Sequence, residues 1–192
     1  MKLLLEGLTQ FRNYSHKQAL GEEGMRVYYW HILRRGTVLS EAEGLSTLLL
    51  TPGCLLAIRG ENPSDEQAVY KGTYTASGDA LVERLSSRIY QQLPLNDKEP
   101  VNEVLFKSLS KTYAVLRETR QLMNTRTRLG ARLEQFFDRF GSDDLEIPSQ
   151  GDLGKIIGCS LEAVSRELTH HPETFASSRQ YFRRHRRQMT YR

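Results

Sequence analysis

The sequence predicts an α+β chain in which short antiparallel strands come first, one long helix follows, and a helix-turn-helix closes the ordered part. Three observations carry this. Up to about Tyr90, β-branched and aromatic runs are cut at close intervals by Gly and Pro turns. From Val101, apolar residues step by three and four for about six turns, at 3.6 residues per turn. From Ile147 to Leu168, two short helical patterns flank a glycine. The expected divisions are residues 1–95, 96–124 and 125–192.

In a chain of 192 residues, 39% hydrophobic and 26% charged residues match an ordinary globular protein with a substantial core. The net charge of +4 is unevenly placed. The end of the chain, SSRQYFRRHRRQMTYR, is dense in arginine and holds no acid, so the remainder is close to neutral. Beside a helix-turn-helix, such an end suits phosphate contacts; alone it is equally an uncommitted basic tail. Cys54 and Cys159 are too few and too far apart for a disulfide framework or zinc site. The opening MKLLLEGL is broken by Glu6, and no apolar run is long enough to cross a bilayer. A cytoplasmic protein with no membrane partner is the expectation.

Met25 to Leu39 reads as two strands around Gly36. Glu43-Gly44 makes a turn, Leu45 to Leu50 a further strand, and Thr51-Pro52-Gly53 places proline and glycine as a type II turn requires. Val69 to Thr75 alternates as another strand, giving a small antiparallel barrel or sandwich. Leu81, Leu85 and Ile89 repeat at helical spacing, so Ala76 to Leu93 is expected to be a helix ended by Pro94.

After a polar break at Asn96 to Pro100, the stripe Val101, Leu105, Leu109, Thr112, Leu116, Thr119 and Met123 approaches a heptad seam. Its length favours a dimer interface; the same stripe also fits a helix facing its own core. Arg126 to Phe140 forms an amphipathic helix, with Phe136 and Phe137 expected in the core rather than as a base-stacking platform.

In the final motif, Ser149 is placed to cap the first helix behind Pro148, and Asp152 lies in its first turn. Leu153, Ile156 and Ile157 share one face. Gly158 supplies the left-handed turn residue, Gly154 permits close helix approach, and Cys159 fills the corner. Ser160 caps the second helix, which buries Val164 and Leu168 and turns Leu161, Glu162, Ser165 and Arg166 outward. A hairpin that only packs has no need of an arginine-bearing outer face, so the motif reads as DNA-binding.

The run Gly151 to Gly154, the turn Gly158 to Ser160, and Glu162, Ser165 and Arg166 resemble the helix-turn-helix signature of the Crp/Fnr superfamily of bacterial transcription regulators. The resemblance implies that Arg166 reads guanine, that Glu162 accepts from cytosine N4, and that Ser165 joins them. More loosely, Tyr28 to Val38 and Thr51 to Gly53 resemble the family's cyclic-nucleotide-binding-like β-roll, and the long helix its dimer helix. Leu161 is apolar, as in Fnr-like members. Three departures stand out. The residues after Gly60-Glu61, NPSDEQAVYKGTYTA, contain no arginine and only Lys71 as a cation, which argues against cyclic-nucleotide binding. Glu167 stands where an apolar residue is usual. Pro172 stops the helix early, and the wing expected of a winged-helix-like domain is hard to see.

His170-His171 point in different directions on a helix and lack partners for a metal site. There is no cysteine cluster for iron and sulfur, no phosphate loop and no nucleophile elbow. An enzyme, a metal and a cofactor are not expected. The expectation is a homodimeric regulator on palindromic double-stranded DNA, with RNA polymerase as a further partner if it activates. Glu162, Ser165 and Arg166 read bases. Gln150, Lys155, Ser160, Arg183, Arg184, Arg186 and Arg187 hold the backbone. Val101, Leu105, Leu109, Thr112, Leu116 and Met123 form the dimer seam. A small-molecule effector of the roll is neither required nor excluded by these residues. The alternative is a dimeric sensory or protein-interaction module whose helix-turn-helix no longer reads DNA.

Overall fold

The computed structural model describes residues 7–43, 47–56, 62–124, 126–141 and 149–170. It is α+β, and it divides into two compact units, Met1–Arg117 and Glu118–Arg192.

The first unit holds seven strands: β1 (Thr9–Tyr14), β2 (Ala19–Gly21), β3 (Tyr29–Arg35), β4 (Val38–Glu41), β5 (Leu48–Leu50), β6 (Thr73–Ala76) and β7 (Ala80–Ser86). They make two antiparallel sheets, ordered β1-β7-β3 and β2-β6-β4-β5. Two of the expected turns are in place: Gly36 and Gly53 have φ of 79° and 90°, and the Cys54 amide donates to the Thr51 carbonyl at 3.1 Å, while Gly44 of the Glu43-Gly44 turn lies outside the described residues. Tyr14, Leu33, Ala80 and Val82 from one sheet meet Val38, Leu50, Tyr74 and Ala76 from the other, with Cys54, Leu56 and Tyr70 completing this core.

Ala80 to Ser86 was expected to be helical and is a strand. Leu81 and Leu85 do fit a helical repeat, but β7 is the middle strand between β1 and β3, with its bonding groups used on both edges. That long-range pairing outweighs the local pattern. Helix begins only with α1 (Ser87–Gln92). β1, exposed along most of its length, carries too little apolar pattern to be found from sequence.

The long helix α2 spans Leu95–Leu122. It starts ahead of the predicted polar break, with the Asp97 and Lys98 amides donating to the Pro94 carbonyl at 3.0 and 3.1 Å. Pro100 lies inside it and gives up one intrahelical bond. The stripe expected to meet a partner is in part spent within this chain. Val101 is buried with Trp30, Ile32, Leu55 and Leu85 on the outer side of the β1-β7-β3 sheet, and Leu105 and Leu109 pack partly against the same cluster. The Thr112 hydroxyl, also buried, accepts from the Leu55 amide at 2.8 Å. Facing away, Phe106 and Tyr113 are 72% and 56% exposed.

The second unit contains the end of α2 and three short helices: α3 (Leu129–Phe140), α4 (Gln150–Ile157) and α5 (Leu161–His170). Leu133, Phe136 and Phe140 of α3 are buried, with Phe136 and Phe140 rings 5.0 Å apart. Phe136 is therefore core, as expected. Arg139 of α3 is paired with Glu118 of α2.

Candidate nucleic-acid interface

The outward face of α4 and α5 is set by two caps and a turn. The Ser149 Oγ accepts from the Asp152 amide at 3.2 Å, so α4 starts where the sequence places it. Leu153, Ile156 and Ile157 are fully buried. Gly158 ends the helix in the left-handed region at φ 74°, a conformation costing L-residues about 1–2 kcal/mol more than glycine. A Cβ on Gly154 would stand 2.8 Å from the Cys159 carbonyl, so only glycine lets the corner close. Cys159 is half-buried there, and burial raises its thiol pKa.

Ser160 caps α5 through the Ala163 amide at 3.2 Å, and Val164 and Leu168 anchor the helix inward. On the opposite side Glu162 and Arg166 are exposed and Ser165 is half-exposed. Spacings of three and four residues put these three on one face. Leu161 is 48% exposed at the helix start. The Glu162 carboxyl is held below the usual carboxylate range by its own backbone amide and by the Ser160 hydroxyl. It is thus a pure acceptor at neutral pH, with a pure donor, Arg166, one turn further on. An acceptor, a hydroxyl and a forked donor on one exposed helix face match what base edges in a major groove offer. Lys155 and Ser160 are exposed and Gln150 is half-exposed around this face. Arg183, Arg184, Arg186 and Arg187, with Pro172 and any wing, lie outside the described residues, as do Gly60 and Glu61.

Two charged residues sit between the helices behind this face, one of them passed over in the sequence and the other noted there only as a departure. Arg132 of α3 is 7% exposed, and its Nη1 donates to the Ile157 carbonyl at 3.0 Å and the Leu122 carbonyl at 3.4 Å. Its place four residues before Phe136 and eight before Phe140, on the apolar stripe of the helix, was the available sign of its burial. Glu167 also has a place: its carboxylate lies 2.6 Å from where a Cβ on Gly130 would stand, at the start of α3. The cap residue there, Arg128, offers no side-chain bond, so an anion suits the positive helix end. The small Gly130, paired with an acid on the facing helix, was the available clue. Met123, expected in the dimer seam, sits with its methyl 3.2 Å from a Cβ placed on Gly158.

No known protein-family model matches the sequence, and no curated protein sequence matches it. Solved structures do. TTHB099, a CRP-family transcriptional regulator from Thermus thermophilus, superposes with a TM-score of 0.67 at 18% identity over 84% of each chain. The c-di-GMP-responsive global regulator CLP of Xanthomonas campestris gives 0.64 at 15% identity, over 87% of this chain and 88% of its own. FixK2 from Bradyrhizobium japonicum gives 0.61 at 16% identity, over 85% and 84%. The fold is that of Crp/Fnr-type regulators.

Proposed function

We propose that a chain with this fold and this α5 face is a sequence-specific DNA-binding transcription regulator of Crp/Fnr type, acting as a homodimer on a palindromic operator. The observation that carries the reading is that exposed Glu162 and Arg166 share one face with half-exposed Ser165 on a helix capped and anchored from behind. Entering the major groove, Arg166 donates to guanine O6 and N7, Glu162 accepts from cytosine N4, and Ser165 serves either base. Gln150, Lys155, Ser160 and the arginines Arg183, Arg184, Arg186 and Arg187 hold phosphates and set register.

The dimer forms along α2. Since Val101 and Thr112 are taken by the roll, the seam runs through Phe106, Leu109, Tyr113 and Leu116, which keep the alternating three-and-four spacing of a heptad. Two-fold pairing then sets two copies of α5 about one DNA turn apart. As an activator the protein would also meet RNA polymerase. The reading needs no cyclic nucleotide, in keeping with Lys71 as the sole cation between residues 62 and 76.

Selection from a random duplex library, in parallel with Arg166→Ala, tests this. The wild type is expected to yield a palindrome, and the substitution to cost about 1–3 kcal/mol at one base position while relaxing the preference there. An identical consensus from both proteins would remove Arg166 from the reading role. Featureless, salt-labile binding by both would replace it with phosphate binding by the arginine-rich end.

A further inference from the structure

We infer that Arg132 is a positioning residue that fixes the recognition helix α5 to the end of the dimer helix α2. The inference rests on the DNA-binding homodimer proposed above. Its two acceptors are not ordinary carbonyls: Leu122 is the last residue of α2 and Ile157 the last of α4. Helix C-termini leave carbonyls without intrahelical partners and carry the negative end of the dipole. The always-charged guanidinium meets both ends through one nitrogen, Nη1, whose direction is fixed by the rigid plane of the group, whereas an ammonium's donors rotate freely at the end of a flexible stem. Beyond Ile157 come only Gly158, Cys159 and the Ser160 cap before α5 begins. Holding the Ile157 carbonyl therefore holds the origin of the base-reading face.

Burial alone does not explain an arginine here. Its Nε is buried with no hydrogen-bond partner among the described residues, so an apolar side chain would fill the space with less desolvation. What an apolar residue lacks is direction: it cannot tie one helix end to another at a set angle. In a two-fold dimer that angle determines how far apart the two recognition helices lie. Arg132 thus governs tolerance of half-site spacing, while Glu162, Ser165 and Arg166 govern the letters of each half-site.

The test uses the full-length protein and the variants Arg132→Gln and Arg132→Lys. Each is offered duplexes carrying two consensus half-sites at varied spacing, alongside a single half-site. Amide hydrogen exchange at residues 158–160 is followed without DNA. If the variants leave the correctly set orientation populated at about a tenth, affinity at the best spacing falls about tenfold. The preference among spacings broadens, half-site letters and single-half-site affinity stay unchanged, and exchange at the turn quickens. Lysine, which keeps the charge, is expected to show the same broadening in weaker form. It carries the test if glutamine prevents folding. Unchanged spacing preference and unchanged exchange in a folded variant would overturn the inference. A wild type that selects no palindrome would refute the regulator reading instead, and slow exchange in the variants would then still count against Arg132.

Discussion

Leu33 in the strand unit and Ile156 in the helical unit are both fully buried, yet they come to be so in different ways. Leu33 lies on β3, which reaches its neighbour β7 about fifty residues away, and it meets Val38, Tyr74 and Val82 across two sheets. Ile156 lies on α4, an eight-residue helix whose start, stop and corner are set within a dozen residues by Ser149, Gly154 and Gly158. The first environment is built from distant pairings, the second from local capping and turn chemistry. Sequence reasoning sees the second kind of information far better than the first.

Leu33→Ala should have the largest effect of the substitutions that test this contrast. Truncating a fully buried leucine costs about 2–5 kcal/mol, depending on how far the site collapses. Chemical denaturation is expected to show that loss, and hydrogen exchange to place it in β3, β4 and β7 while the amides of α4 and α5 keep their protection. Equal acceleration across both units would show that they unfold as one cooperative block, and the contrast would then be one of sequence reading only.

The elements confirm where legibility ends. Both caps, the turn glycine and the buried and exposed faces of the helix-turn-helix could be read because each depends on neighbours within a few residues. β7 could not, since Leu81, Leu85 and Ile89 satisfy a helix until β1 and β3 are known to flank the strand. α2 was legible as a helix, but not what it faces: nothing local tells Val101, buried against Trp30, from Phe106, open to solvent. Arg132 and His31 escaped notice for a related reason. A charged or titratable residue reads as surface until packing supplies its surroundings.

His31 gives the strand unit a dependence on pH between 7 and 5. It sits on β3 beside Arg84 of β7, in contact with the Tyr70 hydroxyl at 3.2 Å. Burial, reinforced by Arg84 and then Arg12, lowers its pKa from 6.5 to about 3. The folded state therefore stays neutral while the unfolded chain takes up a proton as pH falls through 6.5. Stability from the neutral ring is complete above that value and declines below it, until the folded group itself protonates near 3. Between pH 7 and pH 5 the expected loss is about 2 kcal/mol. His31→Gln should remove that share of the acid slope in denaturation midpoints. Parallel slopes for the two proteins would mean that His31 charges as readily folded as unfolded.

The smallest effect belongs to the local side of the contrast, and for that reason it discriminates well. Ser149→Ala deletes one cap, and such a loss costs about 1 kcal/mol. Because the Ser149 Oγ meets only the Asp152 amide and carboxylate among the described contacts, the change should stay within the first turn of α4. Ser149→Asp is expected to restore most of the loss, since aspartate also caps, although Asp152 then lies close to a second carboxylate. Exchange at residues 151–153 should quicken in the alanine variant, while the amides following Gly158 remain as protected as before. If the disturbance instead reached α5, the two helices of the motif would be one cooperative piece. Their local signals would then describe where each helix begins and ends without describing how firmly each stands alone.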